Sequence, residues 1–275
     1  MASNPLQQYF RQPKIFLKLP SMGIYNAPGD LVGSVENMPV FGMTGMDEIL
    51  MKTPDALFTG ESTVQVIKSC CPNIVNPWAL TNLDVDTVLV AIRIATYSNT
   101  MSIKHICNKC QTENEYDIDL DKFTDHFNQC VYDNTVVLPE ITVKLRPLTY
   151  QQVTEFNIEN YSMQKTLYQL DSITDEQEKQ RQISEIYKLT AALQNKILVN
   201  SIEHVELITG VVTEKEFITE WIENCDSSII DTIRKQLDKN NAAWKIPPTK
   251  VQCENCKADD EFTVDLDQAS FFAVA

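Results

Sequence analysis

The stretch from Lys104 to Asp121 reads KHICNKCQTENEYDIDLD, and the stretch from Lys250 to Asp267 reads KVQCENCKADDEFTVDLD. Placed in register without a gap, Cys107 meets Cys253, Cys110 meets Cys256, Tyr116 meets Phe262 and Ile118 meets Val264. Asp119-Leu120-Asp121 likewise meets Asp265-Leu266-Asp267. Each copy reads as a tight cysteine turn, an acidic loop and a strand ending in DLD. A C-x2-C turn places two thiolates on one edge of a tetrahedron, and a second turn related by a pseudo-twofold axis supplies the opposite edge. Four sulfurs about 2.3 Å from one zinc ion leave no open position for water, so such a metal is structural. A lone C-x2-C is a weak signal, whereas two copies inside a matched repeat are a strong one. The sequence therefore predicts one structural Zn2+ per chain, held by Cys107, Cys110, Cys253 and Cys256. A redox dithiol needs a strand-to-helix setting, and both pairs here read as turns between strands. An iron–sulfur cluster could use four cysteines, but paired turns of this kind favour zinc. Lys104, Lys109, Lys250 and Lys257 soften the formal charge of the four-thiolate site.

Cys107 and Cys253 lie 146 positions apart. By analogy with a cross-link closing such a loop, the entropy removed from the unfolded chain is worth about 5 kcal/mol. Structural zinc binding contributes roughly 10–16 kcal/mol, well above what ordering two short turns requires. The two copies thus read as halves of one split zinc ribbon that flank a helical insertion and clamp its base.

Outward from the ribbon, the first 60 residues are rich in Pro, Gly and Met and read as extended segments and turns. Short helices follow: Met46 to Met51, then TVQVIKSCC opened by a Ser62/Gln65 capping box. The next helix, capped by Asp84 or Asp86, carries Val85, Val88, Leu89 and Ile92 on one face. Arg93 near its end reads either as buried and paired, with Glu48 as a candidate, or as snorkelling to water. MSIKHIC, EYDIDL, TVVL and ITVKLRPL are strands, with Pro139 and Glu140 in a turn. Thr149 and Gln152 open a helix over 150–170; Asp171 and Ser172 break it; Thr174 and Gln177 open a second reaching roughly to Val205. Thr213 with Glu216, and Asp226 or Ser227, cap two more helices. The predicted class is α+β, predominantly helical, with an N-terminal β and irregular region. The predicted parts are 1–100, a first ribbon half with strands at 101–149, a helical insertion at 150–245 and a second ribbon half at 246–275.

Composition narrows the function. The chain has 275 residues and a formal net charge of −15, a field that repels phosphate backbones. Six of its seven glycines lie between Gly23 and Gly60, so a phosphate-cradling loop has almost nowhere to sit. No run is long and apolar enough to span a membrane; the best, Val85 to Ala95, is short and contains Arg93. The N-terminus lacks the apolar core of a signal peptide, so the expected compartment is cytosolic, with the eight cysteines reduced or metal-bound. Cys70, Cys71, Cys130 and Cys225 read as buried structural thiols. His105, His126 and His204 are the only histidines, and none sits in a recognisable hydrolase or metalloprotease motif. The expectation is a protein without catalysis.

LPSMGIY (19–25), MTGMDEILMKTPDALFTGES (43–62) and LDVDTVLVAIRIATYSN (83–99), followed by the C-x2-C turn and EYDIDL, resemble the baseplate hub subunits and hub-assembly chaperones of T4-like contractile-tailed bacteriophages. The likeness covers roughly residues 15–125, and the C-terminal half-ribbon less strongly. It implies a tail component or assembly factor with no active site, working through other tail and baseplate hub proteins. Its place would be the host cytoplasm during assembly; members of that family differ on whether they stay in the finished virion, so the tail baseplate is left as an alternative. A zinc-ribbon adaptor in nucleic-acid metabolism is the competing class. The net charge of −15 and the lack of an aromatic–basic stripe count against it, and no direct nucleic-acid contact is expected.

Overall fold

The computed structural model describes residues 4–53, 58–170, 175–264, 266, 271 and 272. The class is mixed α+β. The chain divides into two compact units: residues 1–130 together with 244–275, and residues 131–243. None of the described helices is long and apolar enough to cross a membrane.

In the first unit the central element is the helix Asn82–Thr96, labelled α3 once the preceding helices are counted: α1 is Gly45–Leu50 and α2 is Glu61–Cys70. Leu83, Val85, Val88, Leu89, Val90, Ala91, Ile92 and Ala95 of α3 are all buried. A helix apolar around its whole circumference belongs in the middle of a core, so the single face read from the sequence understates it. Its cap is Thr81, whose hydroxyl accepts from the Asp84 N–H at 3.2 Å. Asp84, expected as the cap, instead sits in the first turn, fully buried. It accepts from the Thr81 hydroxyl at 2.7 Å and the Ser21 N–H at 3.0 Å. Likewise α2 is capped by Gly60 in the left-handed region at φ 76°, while Ser62 is buried inside it. Two short strands, β1 (Ile15–Leu17) and β2 (Met38–Val40), pair antiparallel and lay Leu17, Leu19, Met38 and Val40 into this core.

Arg11 ties the N-terminal segment down. Its guanidinium donates to the carbonyls of Gly42 and Ser69, each at 2.6 Å, and lies 3.5 Å from buried Asp47. A side chain at Gly42 would meet the Ala95 carbonyl at 2.9 Å, so the loop over the end of α3 requires glycine there. Arg93 is buried. It donates to the Phe271 carbonyl, and its guanidinium stands 5.3 Å from the Tyr97 ring and 5.2 Å from that of Phe271. The same unit holds two hairpins, β3 (Thr100–Ile106) with β4 (Glu113–Asp119), and a second formed by Thr249–Gln252 and Asp259–Phe262. Helix α4 (Asp121–Gln129) follows the first and buries Phe123 and Phe127.

The second unit is a four-stranded antiparallel sheet with helices. Its strands are β5 (Thr135–Val137), β6 (Ile141–Leu145), β7 (Ile202–Leu207) and β8 (Gly210–Val212), in that order. Its helices are α5 (Tyr150–Gln169), α6 (Glu176–Asn200), α7 (Lys215–Asn224) and α8 (Ser227–Trp244). Val136, Val143, Leu145, Leu198, Ile202, Val205, Ile218, Ile222 and Ile233 form its core. The sequence reading differs here on several points. Strands β5 and β6, grouped by the sequence with the first ribbon half, pair with β7 instead. The helix expected to reach Val205 stops at Asn200, and Val205 lies in β7 opposite Val143. Pairing with a distant strand outweighs the local helical pattern there. The capping box of Thr149 and Gln152 is present as expected. Thr174 lies outside the described residues, and Asp175 caps α6 by accepting from Gln177 and Glu178 N–H. Helix α7 starts after Glu214, without a side-chain cap. The hairpin strand following the second cysteine pair, β10, ends at Phe262, after β9 at Thr249–Gln252. Asp265 and Asp267 of the second DLD lie outside the described residues.

Candidate metal centre

Each cysteine pair crowns a hairpin. Cys107 and Cys110 lie between β3 and β4, and Cys253 and Cys256 between β9 and β10. The two turns have the same backbone bonds. Cys107 N–H donates to Thr112 O at 3.0 Å and Gln111 N–H to Cys107 O at 2.9 Å. Cys253 N–H donates to Ala258 O at 2.9 Å and Lys257 N–H to Cys253 O at 3.0 Å. In each turn the residue after the second cysteine takes a left-handed conformation, Gln111 at φ 59° and Lys257 at φ 56°. Neither is glycine, so each turn carries the same local strain to curl its two sulfurs toward one point.

The four sulfurs lie within 4.8 Å of one another. Across the hairpins, Cys107 Sγ is 3.8 Å from Cys256 Sγ and Cys110 Sγ is 3.6 Å from Cys253 Sγ. A tetrahedron with metal–sulfur distances of about 2.3 Å has edges of about 3.8 Å, close to both of these separations, so the donor set suits one four-coordinate ion. Cys107 and Cys253 are buried, and Cys110 and Cys256 are partly so. The Thr112 hydroxyl, 3.4 Å from Cys110 Sγ, favours the thiolate and draws that thiol down to about 6. The Lys109 N–H donates to Cys107 Sγ at 3.4 Å. Cys70 and Cys71 are wholly buried, and burial pushes both thiols up, that of Cys70 to about 11, as inert core cysteines require. Cys130 and Cys225 are only half-buried.

A second layer surrounds the sulfurs, and the sequence reading passed over it. Asn114 is buried; its Oδ1 accepts from the Glu254 N–H at 3.0 Å, and its Nδ2 donates to Thr112 O at 2.9 Å. Asp260 Oδ2 accepts from the Asn108 N–H at 3.0 Å, and its Oδ1 accepts from Asn108 Nδ2 at 2.7 Å. The Asn108 amide and its neighbours hold the Asp260 carboxyl well below the usual carboxylate range. His105, two residues before Cys107, places Nε2 3.0 Å from Asp260 Oδ2. Its ring stacks on Phe262 at 4.9 Å. Tyr116 stacks on its own repeat partner Phe262 at 5.9 Å, and its hydroxyl donates to Gln252 O at 3.2 Å. Short polar residues at matched positions 114 and 260 were the available sequence signal. His126 lies beside Cys130 at 3.8 Å and His204 beside Glu206 at 3.5 Å, both away from this cluster in sequence and partners.

No curated protein and no solved structure matches the chain. The profile of the family described as T4 bacteriophage base plate protein matches residues 46–273. That span opens within MTGMDEIL, after LPSMGIY, and takes in both cysteine turns. It covers well over half of the sequence, and the chain belongs to the T4 bacteriophage base plate protein family.

Proposed function

We propose that this protein is a non-enzymatic structural or assembly component of the phage tail baseplate hub, acting by binding other tail and hub proteins and stabilised by one structural Zn2+. The carrying observation is that the family match spans a cluster of four cysteine sulfurs within 4.8 Å of one another. In this reading Cys107, Cys110, Cys253 and Cys256 hold the ion in a split zinc ribbon. Bound there, the metal supplies no reaction, since four thiolates fill its coordination. It joins two stretches of chain that are separated in sequence by the whole unit of residues 131–243.

The binding surface includes the N-terminal segment. Leu6, Tyr9, Phe10 and Phe16 are exposed, Tyr9 at 76%. Clustered exposed aromatics of this kind mark surfaces that meet a partner. Met38 is fully buried and belongs to the protein's own core. The segment thus both wraps its own unit and presents a short apolar stretch before Arg11. The protein acts in the host cytoplasm during assembly and at the virion tail baseplate.

Affinity capture of the full-length protein from infected cells tests this. Tail or hub proteins should be recovered in stoichiometric amount. Recovery of nucleic acid, released by salt, in place of tail proteins would point to the adaptor class and overturn the reading.

A further inference from the structure

The two hairpins are joined by contacts that involve no metal, and these contacts follow the pseudo-twofold axis of the repeat. Asn114 and Asp260 are equivalent positions, each in the second strand of its hairpin. Asn108 and Glu254 are equivalent positions, each directly after the first cysteine. Asn114 takes the Glu254 N–H and Asp260 takes the Asn108 N–H, both at 3.0 Å. Each hairpin therefore reaches across and fixes the amide that orients the opposite cysteine turn. Asn255 adds a third link, donating to the Thr112 hydroxyl at 3.0 Å.

We propose that Asn114 and Asp260 are the positioning residues of the metal centre. They clamp each cysteine turn from the opposite hairpin, so that the four sulfurs stand at tetrahedral spacing through protein contacts that the metal then closes. The proposal rests on the metal-binding reading of the four cysteines.

The two clamps differ in chemistry. Asp260 is used only as an acceptor, taking the Asn108 N–H, Asn108 Nδ2 and the Glu261 N–H, with His105 Nε2 at 3.0 Å. Asn114 needs both ends. Its oxygen accepts from Glu254, while its Nδ2 donates to Thr112 O and lies 3.5 Å from Cys253 Sγ. An amide at 260 can still accept from the Asn108 N–H with its one oxygen; its NH2 loses the Glu261 N–H but can donate to the Asn108 side chain once that amide turns its oxygen inward, and it adds no charge beside the sulfurs. A carboxylate at 114 would face a carbonyl and a thiolate with no proton to offer either. The exchange is therefore not symmetric, although the positions are.

The test is Zn2+ affinity of the full-length chain by competition with a chromophoric chelator, with the visible spectrum of the Co2+-loaded protein as a reading of ligand geometry. Far-ultraviolet circular dichroism checks that each variant is folded. Asn114→Ala and Asp260→Ala should each weaken Zn2+ by about 10–100-fold, the usual cost of losing an outer-layer partner. Asp260→Asn should stay within about tenfold of the wild type, and Asn114→Asp should fall at or beyond the alanine variants. Should an alanine variant not fold, the isosteric pair decides alone. Equal affinity of Asp260→Asn and Asn114→Asp, or alanine variants that match the wild type in affinity and Co2+ spectrum, overturn the positioning role. A wild-type chain that takes up neither Zn2+ nor Co2+ overturns the metal reading as well, which separates the two failures.

Discussion

Asn114 and Asp260 occupy the same place in the two copies of the repeat and make the same bond, each accepting at 3.0 Å from the amide after the first cysteine of the other copy. The sequence repeat is thus a structural one, with a local axis between Tyr116 and Phe262, which stack on each other. Two stretches of chain that lie 146 positions apart meet as equals, and neither half can hold four sulfurs without the other.

This equivalence predicts equal damage from either side. Cys107→Ser and Cys253→Ser each leave three sulfurs, and each should abolish tight Zn2+ binding and lower the melting temperature of the first unit to a similar degree. Elemental analysis and thermal denaturation read this out. About one zinc per wild-type chain is expected, as a single four-thiolate site requires. One cysteine variant losing metal while the other retains it would contradict a shared ion.

The N-terminus divides at Arg11. Removing residues 1–10 deletes exposed Leu6, Tyr9 and Phe10 and leaves the Arg11 bonds in place. The remaining protein should fold and bind zinc yet lose affinity for tail partners. Removing residues 1–40 also deletes buried Leu17, Leu19, Met38 and Val40. At about 2–5 kcal/mol for each large core side chain, that loss is of the same size as a total stability of about 5–15 kcal/mol. The longer deletion should therefore fail to fold, as judged by circular dichroism and limited proteolysis.

Asp84 gives a pH dependence with a definite sign. Burial raises its carboxyl above the ordinary value, partly offset by its bonds from Ser21 and Thr81. The unfolded chain ionises it near pH 4, whereas the folded chain resists, so ionisation favours unfolding as pH rises above that point. Asp84→Asn cannot ionise. Its stability relative to the wild type should improve between pH 4 and pH 7, measured by urea denaturation at each pH. A relative stability that falls over that window would contradict the assignment.

Arg93 anchors the C-terminal Phe271. Arg93→Met keeps much of the side-chain length but leaves the Phe271 carbonyl without this donor and removes the contacts with both rings. An unsatisfied buried acceptor costs about 1–3 kcal/mol. Chemical denaturation should show a loss of that size, and hydrogen exchange should show early opening around Phe271.

The sequence was most readable where chemistry demands fixed spacing. The two C-x2-C turns, the strands beside them and the Thr149/Gln152 capping box follow from local rules, and the structure has each of them. It was less readable where distant pairing decides. Val205 continues a helical apolar stripe in the sequence, yet its partners are Val143 and Val212 across the sheet. Gly210, the lone glycine after Gly60, pairs with Leu207 at the hairpin turn and was the available sign that the helix had ended. Asp84 looked like a helix cap because a carboxylate commonly plays that part. Thr81 took it, and Asp84 was drawn inward by Ser21, a residue 63 positions earlier.

If the protein is the hub component we propose, the baseplate should not be completed without it. The most direct test is electron microscopy of lysates from a phage in which the gene is silenced, with the wild-type protein supplied from a plasmid as the control. Few or no contractile tails with complete baseplates are expected in the silenced lysate, and their return with the plasmid. Normal numbers of complete, contractile tails in the silenced lysate would contradict it.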